Sequence, residues 1–270
     1  MIYFASDMHF GAYFHQNAIE VERKFVRWLD FIEHDATHLF LVGDIFDYWF
    51  EYKYVVPRGY IRVLGKLANL ADKGVEIHFF TGNHDVWIFD YLSEEIGCQV
   101  HREPTTFELL GKKFYIAHGD EFVQADKGFR FIRAIFHNRF CQKLYASIHP
   151  WFTVGLAHRW ALHSRRKGMK NLSEQQYKGE QNEYLVQYAK QYLNRQTEGK
   201  QPNFFIFGHR HIVLDLMLSD KSRIAILGDW ISHFSYARWD GTTFSIDTFE
   251  ETEHQTNIES QVHLPFGINR

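Results

Sequence analysis

The chain has 270 residues, of which 45% are hydrophobic and 23% charged, with a net charge of -3; this composition is typical of a globular protein and suffices for one large α/β domain with an insertion. No stretch approaches the roughly 20 consecutive apolar residues of a membrane-spanning helix, which excludes a protein built on such helices. The first predicted strand begins at Ile2, which leaves no room for a leader, and Cys98 and Cys141 lack the spacing of a disulfide framework, so we expect a cytoplasmic protein with reduced thiols.

The first eighty residues predict alternating strands and helices. Short runs rich in β-branched and aromatic residues predict strands at 2–5, 39–42 and 75–81. Apolar residues at helical spacing between these runs predict helices over 21–32 and 60–70. This order indicates a β-α-β-α-β start.

The rest of the chain divides into a second strand-rich part and a helical part. Gly111 lies in the turn of a predicted hairpin over 106–117. Further strands are predicted at 204–207, 212–218, 223–227, 234–239 and 243–248. The intervening pattern is helical, and we interpret it as a cap inserted into the α/β body. The predicted division is a core of 1–125 and 201–249, a helical cap of 126–200 and a C-terminal tail of 250–270.

Five of the predicted strands end at residues able to bind a metal ion. These ends carry Asp7 and His9, Gly43-Asp44, Gly82-Asn83, His118, and Gly208-His209 with His211. In α/β folds, ligands collect at the carboxyl ends of the strands. We therefore expect one edge of one sheet to carry every ligand.

This set of side chains suits a pair of divalent ions. Two ions roughly 3.5 to 4 Å apart can clamp the attacking and leaving oxygens of a phosphate ester and lower the pKa of a shared water. Such a pair needs a bridging carboxylate, and Asp44, after the tight turn at Gly43, is the natural bridge. Neutral imidazoles and the Asn83 carbonyl complete the shells. Mixed nitrogen and oxygen ligands favour manganese, zinc or iron over calcium, and manganese is our first choice.

The charge of the chain is distributed unevenly. Residues 127–173 contain ten Lys and Arg but no Asp or Glu, whereas the remainder has 20 basic and 33 acidic residues, a net charge of -13. We expect the basic segment to contact an anionic partner. A solvated basic face is the simpler alternative.

Five short motifs occur in a fixed order along the chain. They are Asp7-x-His9, Gly43-Asp44-x-x-Asp47, Gly82-Asn83-His84-Asp85, His118-Gly119-Asp120 and Gly208-His209-x-His211. In this order they resemble the signature of the calcineurin-like metallophosphoesterases. The resemblance implies an α/β fold, a four-layer αββα sandwich of two mixed sheets. It also implies two metal sites, one formed by Asp7, His9, Asp44 and His211 and the other by Asp44, Asn83, His118 and His209.

Within that superfamily the chain is most similar to the UDP-2,3-diacylglucosamine hydrolases of lipid A synthesis. The similarity lies in residues 118–129, in the basic and aromatic segment 132–165 and in the motif Leu227-Gly228-Asp229-Trp230. It implies that water attacks the α-phosphorus of a UDP-linked diacyl sugar to give UMP and the lipid monophosphate. It also implies peripheral association with the inner membrane, where the cap lines an acyl groove or enters the interface and its cations face lipid headgroups or the diphosphate.

One position departs from that family. Its well-known members carry Arg after the Gly-Asn pair, whereas this chain has His84, the usual residue of the wider superfamily. The wider resemblance implies that His84, oriented by Asp47, faces the leaving group and either donates a proton or stabilises charge. The substrate contacts that the resemblance implies are Asn83, His84, Asp126, Ser164, Lys170 and His209.

Three alternatives are open. The basic cap could follow a nucleic acid backbone, which would make the protein a nuclease or nucleotide phosphodiesterase of the same metal class; the sequence shows no second DNA-binding module, and nucleic acid is not the expected partner. The chain could be a non-catalytic scaffold, although all seven ligand positions carry ligating side chains. The aromatic residues of the cap could bury one another as helix core instead of contacting a membrane.

Overall fold

A computed structural model describes residues 1–12, 18–123, 134–153, 155, 176–177, 179–197 and 199–250. The elements of the first half are β1 (Ile2–Ala5), α1 (Ala18–Ile32), β2 (His38–Val42), α2 (Ile61–Asp72), β3 (Glu76–Phe80), α3 (Tyr91–Glu95), β4 (Gln99–His101), β5 (Thr105–Leu109), β6 (Lys112–Ala117) and a 3₁₀ turn (Asp120–Phe122). Those of the second half are α4 (Arg139–Ala146), α5 (Tyr184–Arg195), β7 (Phe204–Phe207), β8 (Val213–Ser219), β9 (Ser222–Leu227), β10 (Ser235–Trp239) and β11 (Phe244–Thr248).

The strands form two mixed sheets. The first has the order β11-β10-β1-β2-β3-β4, in which β1 to β4 are parallel and β10 and β11 are antiparallel to their neighbours. The second has the order β5-β6-β7-β9-β8, in which β6, β7 and β9 are parallel. The helices α1 and α2 return the chain from β1 to β2 and from β2 to β3, as parallel pairing requires.

Three apolar clusters separate four layers. Phe4 of β1 and Phe114 of β6 stack between the two sheets, with ring centroids 5.6 Å apart. The outer face of the first sheet packs on Trp28 of α1 and Leu67 of α2. The outer face of the second sheet packs on α5 through Leu185. The predicted αββα sandwich of two mixed sheets is confirmed.

The helix α5 lies within the segment 126–200 that the sequence pattern assigns to the cap. Its buried residues are Leu185, Val186, Ala189 and Leu193. They pack on the second sheet and make α5 the fourth layer of the core. An apolar stripe at helical spacing shows that a helix face is covered but does not show by what. We therefore propose that the inserted segment ends before Tyr184. Residues 251–270 of the predicted tail lie outside the described residues.

The sequence pattern located most elements to within a few residues. The helices predicted at 21–32 and 60–70 correspond to α1 and α2, and the predicted hairpin corresponds to β5 and β6. The short elements α3 and β4 were not predicted. A bilayer-crossing helix is absent from the described residues, since the helices there are too short or too polar for one.

Candidate metal centre

The side chains predicted to bind metal lie at the carboxyl ends of five strands, and these strands belong to both sheets. β1, β2 and β3 of the first sheet lead to Asp7 with His9, to Asp44 and to Asn83, whereas β6 and β7 of the second sheet lead to His118 and to His209 with His211. The prediction that one sheet carries every ligand is therefore wrong. An apolar run predicts a strand but not the sheet that the strand joins, and here the strand ends of two stacked sheets meet.

A first group of possible ligands consists of Asp7, His9 and His211. The Nε2 atom of His211 lies 3.4 Å from Asp7 Oδ1 and 3.3 Å from His9 Nε2. The ligand atoms of the three residues all lie within 4.8 Å of one another. Asp44 Oδ2 is 3.7 Å from His9 Nε2, so its carboxylate borders this group.

Asp44 also belongs to a second group, with His118 and His209. Its Oδ2 atom lies 3.3 Å from His118 Nε2, and the ligand atoms of all three residues lie within 4.8 Å of one another. A further group of the same dimension joins His9, Asp44 and His84. One carboxylate between two groups of imidazoles has the geometry that a bridging ligand needs.

Two buried atoms of the centre have no hydrogen-bond partner among the described residues. They are Asn83 Oδ1 and His118 Nε2. The other ring nitrogen of His118 lies 2.9 Å from Val42 O and donates to it, so Nε2 is left with a lone pair directed into the centre. A buried polar atom left unpaired costs about 1 to 3 kcal/mol. A divalent cation would satisfy both atoms, and the donor set therefore fits such an ion.

The pKa values of the buried side chains depend on their burial and on the charges of their neighbours. Burial alone would raise the pKa of Asp44, but His118 and His84 hold that pKa well below its usual range. Burial would lower the pKa of His118, yet Asp44 raises it well above its usual range. Burial, with His118 nearby, keeps the pKa of His209 well below its usual range. The surrounding imidazoles thus stabilise the negative charge of Asp44, as a bound cation would do.

Five of the possible ligands have a backbone conformation that L residues seldom adopt. Their φ angles are 58° at Asp7, 48° at His9, 54° at Asp44, 66° at His209 and 52° at His211. Asp and His tolerate the left-handed region better than most residues. Such strain persists only where the surrounding structure restrains it, and it clusters at functional sites.

The glycine before several ligands allows another ligand to approach. A Cβ atom at Gly82 would lie less than 3.0 Å from Asp44, one at Gly43 less than 3.0 Å from His118, and one at Gly208 2.6 Å from Asp7 Oδ2. Real Cβ atoms essentially never make such contacts. The Gly-ligand dipeptides of the sequence therefore reflect close packing between neighbouring strand ends.

Asp85 is a buried acid to which the sequence pattern assigned no role. Its carboxylate accepts hydrogen bonds from the backbone N–H groups of Ile45 at 2.8 Å and of Gly82 at 2.6 Å. These donors lie in the loops after β2 and β3, next to Asp44 and Asn83. Asp85 therefore joins the two loops that present these predicted ligands. The sequence feature that could have indicated this role is the position of Asp85 in the motif Gly82-Asn83-His84-Asp85.

Asp229 is a second acid whose role was not predicted. It lies after β9, and its Oδ2 atom accepts from His211 Nδ1 at 3.1 Å. The backbone N–H groups of Ser232 and His233 donate to Oδ1 at 2.8 Å and 3.0 Å. Burial would raise the pKa of Asp229, but the contact with His211 and these donors keep it below its usual range. The contact orients the imidazole of His211 with Nε2 toward the centre.

His84 lies beside the two groups with its ring fixed by Asp47. Its Nδ1 atom is 3.0 Å from Asp47 O and 3.5 Å from Asp47 Oδ1. Its ring meets that of His9 edge-on, at a centroid distance of 4.8 Å. Its backbone N–H donates to Asp44 Oδ1 at 2.9 Å. His84 is therefore tied to Asp44 and Asp47, and its Nε2 atom is the ring nitrogen left for a ligand.

Part of the segment predicted to form the cap contacts the loops that carry these residues. Tyr145 of α4 lies with its hydroxyl 3.1 Å from that of Tyr48 and with its ring 5.1 Å from that of Trp87. Trp87 donates through Nε1 to Phe136 O at 2.9 Å. The exposed apolar side chains of this part include Phe140, Leu144, Trp151 and Phe152. The predicted substrate contacts Asp126, Ser164 and Lys170 lie outside the described residues.

The chain is similar to known phosphoesterases and hydrolases. The calcineurin-like phosphoesterase family matches residues 1–213. The chain is 47% identical over 261 residues to the UDP-2,3-diacylglucosamine hydrolase of Porphyromonas gingivalis, covering 93% of this chain and 98% of that protein. It is 30% identical over 135 residues to the UDP-2,3-diacylglucosamine hydrolase of Nitrosococcus oceani, covering 49% of this chain and 51% of that protein.

Among solved structures, the phosphoesterase Yfce from E. coli is 13% identical, with 92% of each chain covered and a TM-score of 0.43. Because the family match covers residues 1–213, most of the chain, the protein belongs to the calcineurin-like phosphoesterase family.

Proposed function

We propose that the protein hydrolyses the diphosphate of UDP-2,3-diacylglucosamine to UMP and 2,3-diacylglucosamine 1-phosphate. The observation that carries this proposal is the 47% identity to the P. gingivalis hydrolase over nearly the whole of both chains. The two groups of ligands that share Asp44 support it, because phosphate hydrolysis by paired cations needs that arrangement. Its test is turnover of UDP-2,3-diacylglucosamine compared with turnover of cyclic nucleotides and DNA. If the protein cleaved DNA faster than UDP-2,3-diacylglucosamine, the substrate would be a nucleic acid and this proposal would be wrong.

In this proposal the seven side chains bind two divalent ions. Asp7, His9, Asp44 and His211 hold one ion, and Asp44, Asn83, His118 and His209 hold the other. When bound, such ions neutralise phosphate charge and lower the pKa of water. The mixed nitrogen and oxygen donors favour manganese. In the same proposal, Asn83 and His209 also contact the phosphates of the substrate.

His84 is the proposed catalytic acid. Its Nδ1–H group donates to Asp47 O, so Nε2 is directed away from Asp47 and is available to the substrate. The Asp47 carboxylate also lies 3.5 Å from Nδ1 and helps to fix the orientation of the ring. A protonated His84 can give its proton to the leaving phosphate oxygen or stabilise the charge that develops there.

Replacement of His84 tests this role. In His84→Ala we expect kcat to fall at least about 100-fold, the lower range for loss of an acid catalyst, while the metal content per chain stays that of the parent. Both are measured on the same preparations, by product formation and by elemental analysis. The control is His34→Ala, since that side chain is 69% exposed. An unchanged kcat would show that His84 is not the catalytic acid. A lower metal content in the variant would show that His84 is a metal ligand.

We also propose that the cap binds the cytoplasmic surface of the inner membrane, where a diacyl substrate resides. Phe140, Trp151 and Phe152 are 73%, 74% and 63% exposed. Arg139 and Lys143 lie on the same segment, which suits an anionic bilayer. Large apolar side chains with neighbouring cations are typical of an interfacial contact.

Substitution of the exposed aromatics tests the membrane contact. The double variant Trp151→Ser and Phe152→Ser should bind less to vesicles that contain an anionic phospholipid, as measured by sedimentation. Its hydrolysis of bis-nitrophenyl phosphate should stay unchanged, because both side chains are exposed. The control is Met217→Ser on β8, since Met217 is also exposed, at 56%, but belongs to the second sheet. Equal vesicle binding by parent and double variant would contradict the proposed contact.

A further inference from the structure

Arg210, which lies between His209 and His211, forms an ion pair with Glu183 at the start of α5. The Nε atom of Arg210 lies 3.0 Å from Glu183 Oε1, and its Nη2 atom lies 3.1 Å from Glu183 Oε2. Glu183 precedes the first residue of α5 and is 1% exposed. A bidentate pair of this kind fixes the orientation of the guanidinium as well as its position.

The backbone around Arg210 needs such a restraint. His209 and His211 on either side of it have φ angles of 66° and 52°, in the left-handed region. The N–H group of Arg210 donates to Gly208 O at 2.7 Å, which tightens the turn further. A strained turn relaxes unless its surroundings hold it. Because Glu183 fixes the side chain of Arg210, the backbone that carries the imidazoles of His209 and His211 is restrained as well.

The first turn of α5 contacts the other ligand loop of the second sheet as well. The hydroxyl of Tyr184 donates to Gly119 O at 3.4 Å. The side chain of Leu185 lies 3.1 Å from the place that a Cβ atom of Gly119 would occupy. Gly119 directly follows His118. The start of α5 is therefore the common support of the loops after β6 and β7, which supply every ligand that comes from the second sheet.

We propose that Glu183 and Arg210 are positioning residues that set the affinity of the centre for its metal ions. Neither side chain is a ligand in this proposal; the pair acts through the backbone of His209 and His211. The inference rests on the proposed function in so far as that function assigns both histidines to the metal sites. An ion pair that only stabilises the fold would leave metal affinity unchanged, and this difference decides the test.

The first test variant is Arg210→Lys, which keeps the positive charge but cannot form the bidentate pair. We expect manganese affinity to fall about tenfold, the lower range for loss of a group that orients ligands, with the metal-free melting temperature near that of the parent. Affinity is measured by competition with a fluorescent chelator, and melting by circular dichroism. The control is Glu180→Gln, which breaks the exposed ion pair with Lys190 near the same helix and should leave affinity unchanged.

The second variant replaces Glu183 and Arg210 together by Gln, which avoids an unpaired buried charge. We expect the same loss of affinity or a larger one. If both variants bind manganese as tightly as the parent, the proposal is wrong. This conclusion also holds if their metal-free melting temperature falls, because the pair would then only stabilise the fold. Absence of manganese binding by the parent would instead refute the proposed metal centre itself, so the two failures are distinguishable.

Discussion

Gly82 carries no side chain at the point where the loops after β2 and β3 come closest. The place of its Cβ atom lies 2.6 Å from Asp44 N and nearer still to the Asp44 carboxylate. Its φ is not positive, so the requirement for glycine is steric and not conformational. The same loops are joined by Asp85, whose carboxylate accepts from Gly82 and Ile45. At the scale of single residues, the position of Asp44 thus depends on the lack of a side chain at Gly82.

The substitution Gly82→Ala should therefore displace Asp44. We expect a loss of stability of about 1 to 3 kcal/mol, as for other overpacked sites, and a loss of bound metal. Urea unfolding and elemental analysis measure the two effects. The control is Gly65→Ala in the middle of α2, where an added Cβ meets no atom of the described part of the chain within 4 Å. There the helix propensity of alanine should add about 0.5 to 1 kcal/mol of stability. A Gly82→Ala protein with parental stability and metal content would contradict this account.

At the scale of elements, β3 carries a buried histidine between the sheets. The His78 ring stacks on Phe40 at 4.4 Å, and its Nδ1 atom lies 3.1 Å from His101 Nε2. Burial, with His101 and His38 nearby, lowers the pKa of His78 to about 4. His78 is therefore neutral in the folded protein over a range in which it is protonated in the unfolded chain.

The sign of the pH dependence follows from this difference. The contribution of His78 to stability is complete above pH about 6.5, the value of an unperturbed imidazole, and is lost as pH falls toward about 4, where the folded form also binds the proton. We expect the urea midpoint of the metal-free protein to drop between pH 7 and pH 5, and to drop less in His78→Phe, which keeps the stack on Phe40. Equal drops in parent and variant would contradict the assignment.

The short helix α3 shows why some elements escape sequence patterns. The N–H groups of Phe89, Asp90 and Tyr91 at its start donate to Glu51 Oε2, at 2.7, 2.8 and 3.2 Å. Glu51 is some forty residues earlier in the chain and is buried. Sequence patterns detect capping residues that lie next to a helix. A cap supplied from the loop after β2 is a tertiary contact, and a helix of five residues is too short for a periodicity signal.

At the scale of the whole molecule, the proposed metal ions link the two sheets. Asp44 follows a strand of the first sheet and His118 a strand of the second, and their ligand atoms are 3.3 Å apart. An ion bound to both opposes separation of the sheets. Binding to the folded form alone raises the free energy of unfolding, by about 2.7 kcal/mol at a free ion concentration of 100 times Kd.

Removal of the ions should therefore destabilise the whole fold. We expect the melting temperature to be higher with added manganese than after treatment with a chelator, as measured by circular dichroism. The variant Asp44→Asn, which removes the shared carboxylate, should show a much smaller difference between the two conditions. Equal melting temperatures of the parent with manganese and with chelator would contradict the link between the sheets.

The sequence by itself determined the strands other than β4, their order along the chain and the residue types at their ends. An apolar run of four or five residues is a local property, and so is the Gly-ligand dipeptide that follows it; both are readable without a fold. The order of the five motifs also sufficed for the family, which the match over residues 1–213 confirms.

Only the tertiary structure decided which surfaces come together. Periodicity reports that a face is buried, not which surface covers it, so the pattern could neither divide the strand ends between two sheets nor assign α5 to the core. The contacts of Asp85, of Asp229 and of Glu183 with Arg210 join residues from separate elements. Such pairings join residues that are far apart in the chain. Sequence patterns could therefore predict the side chains at the strand ends but not the contacts that support them.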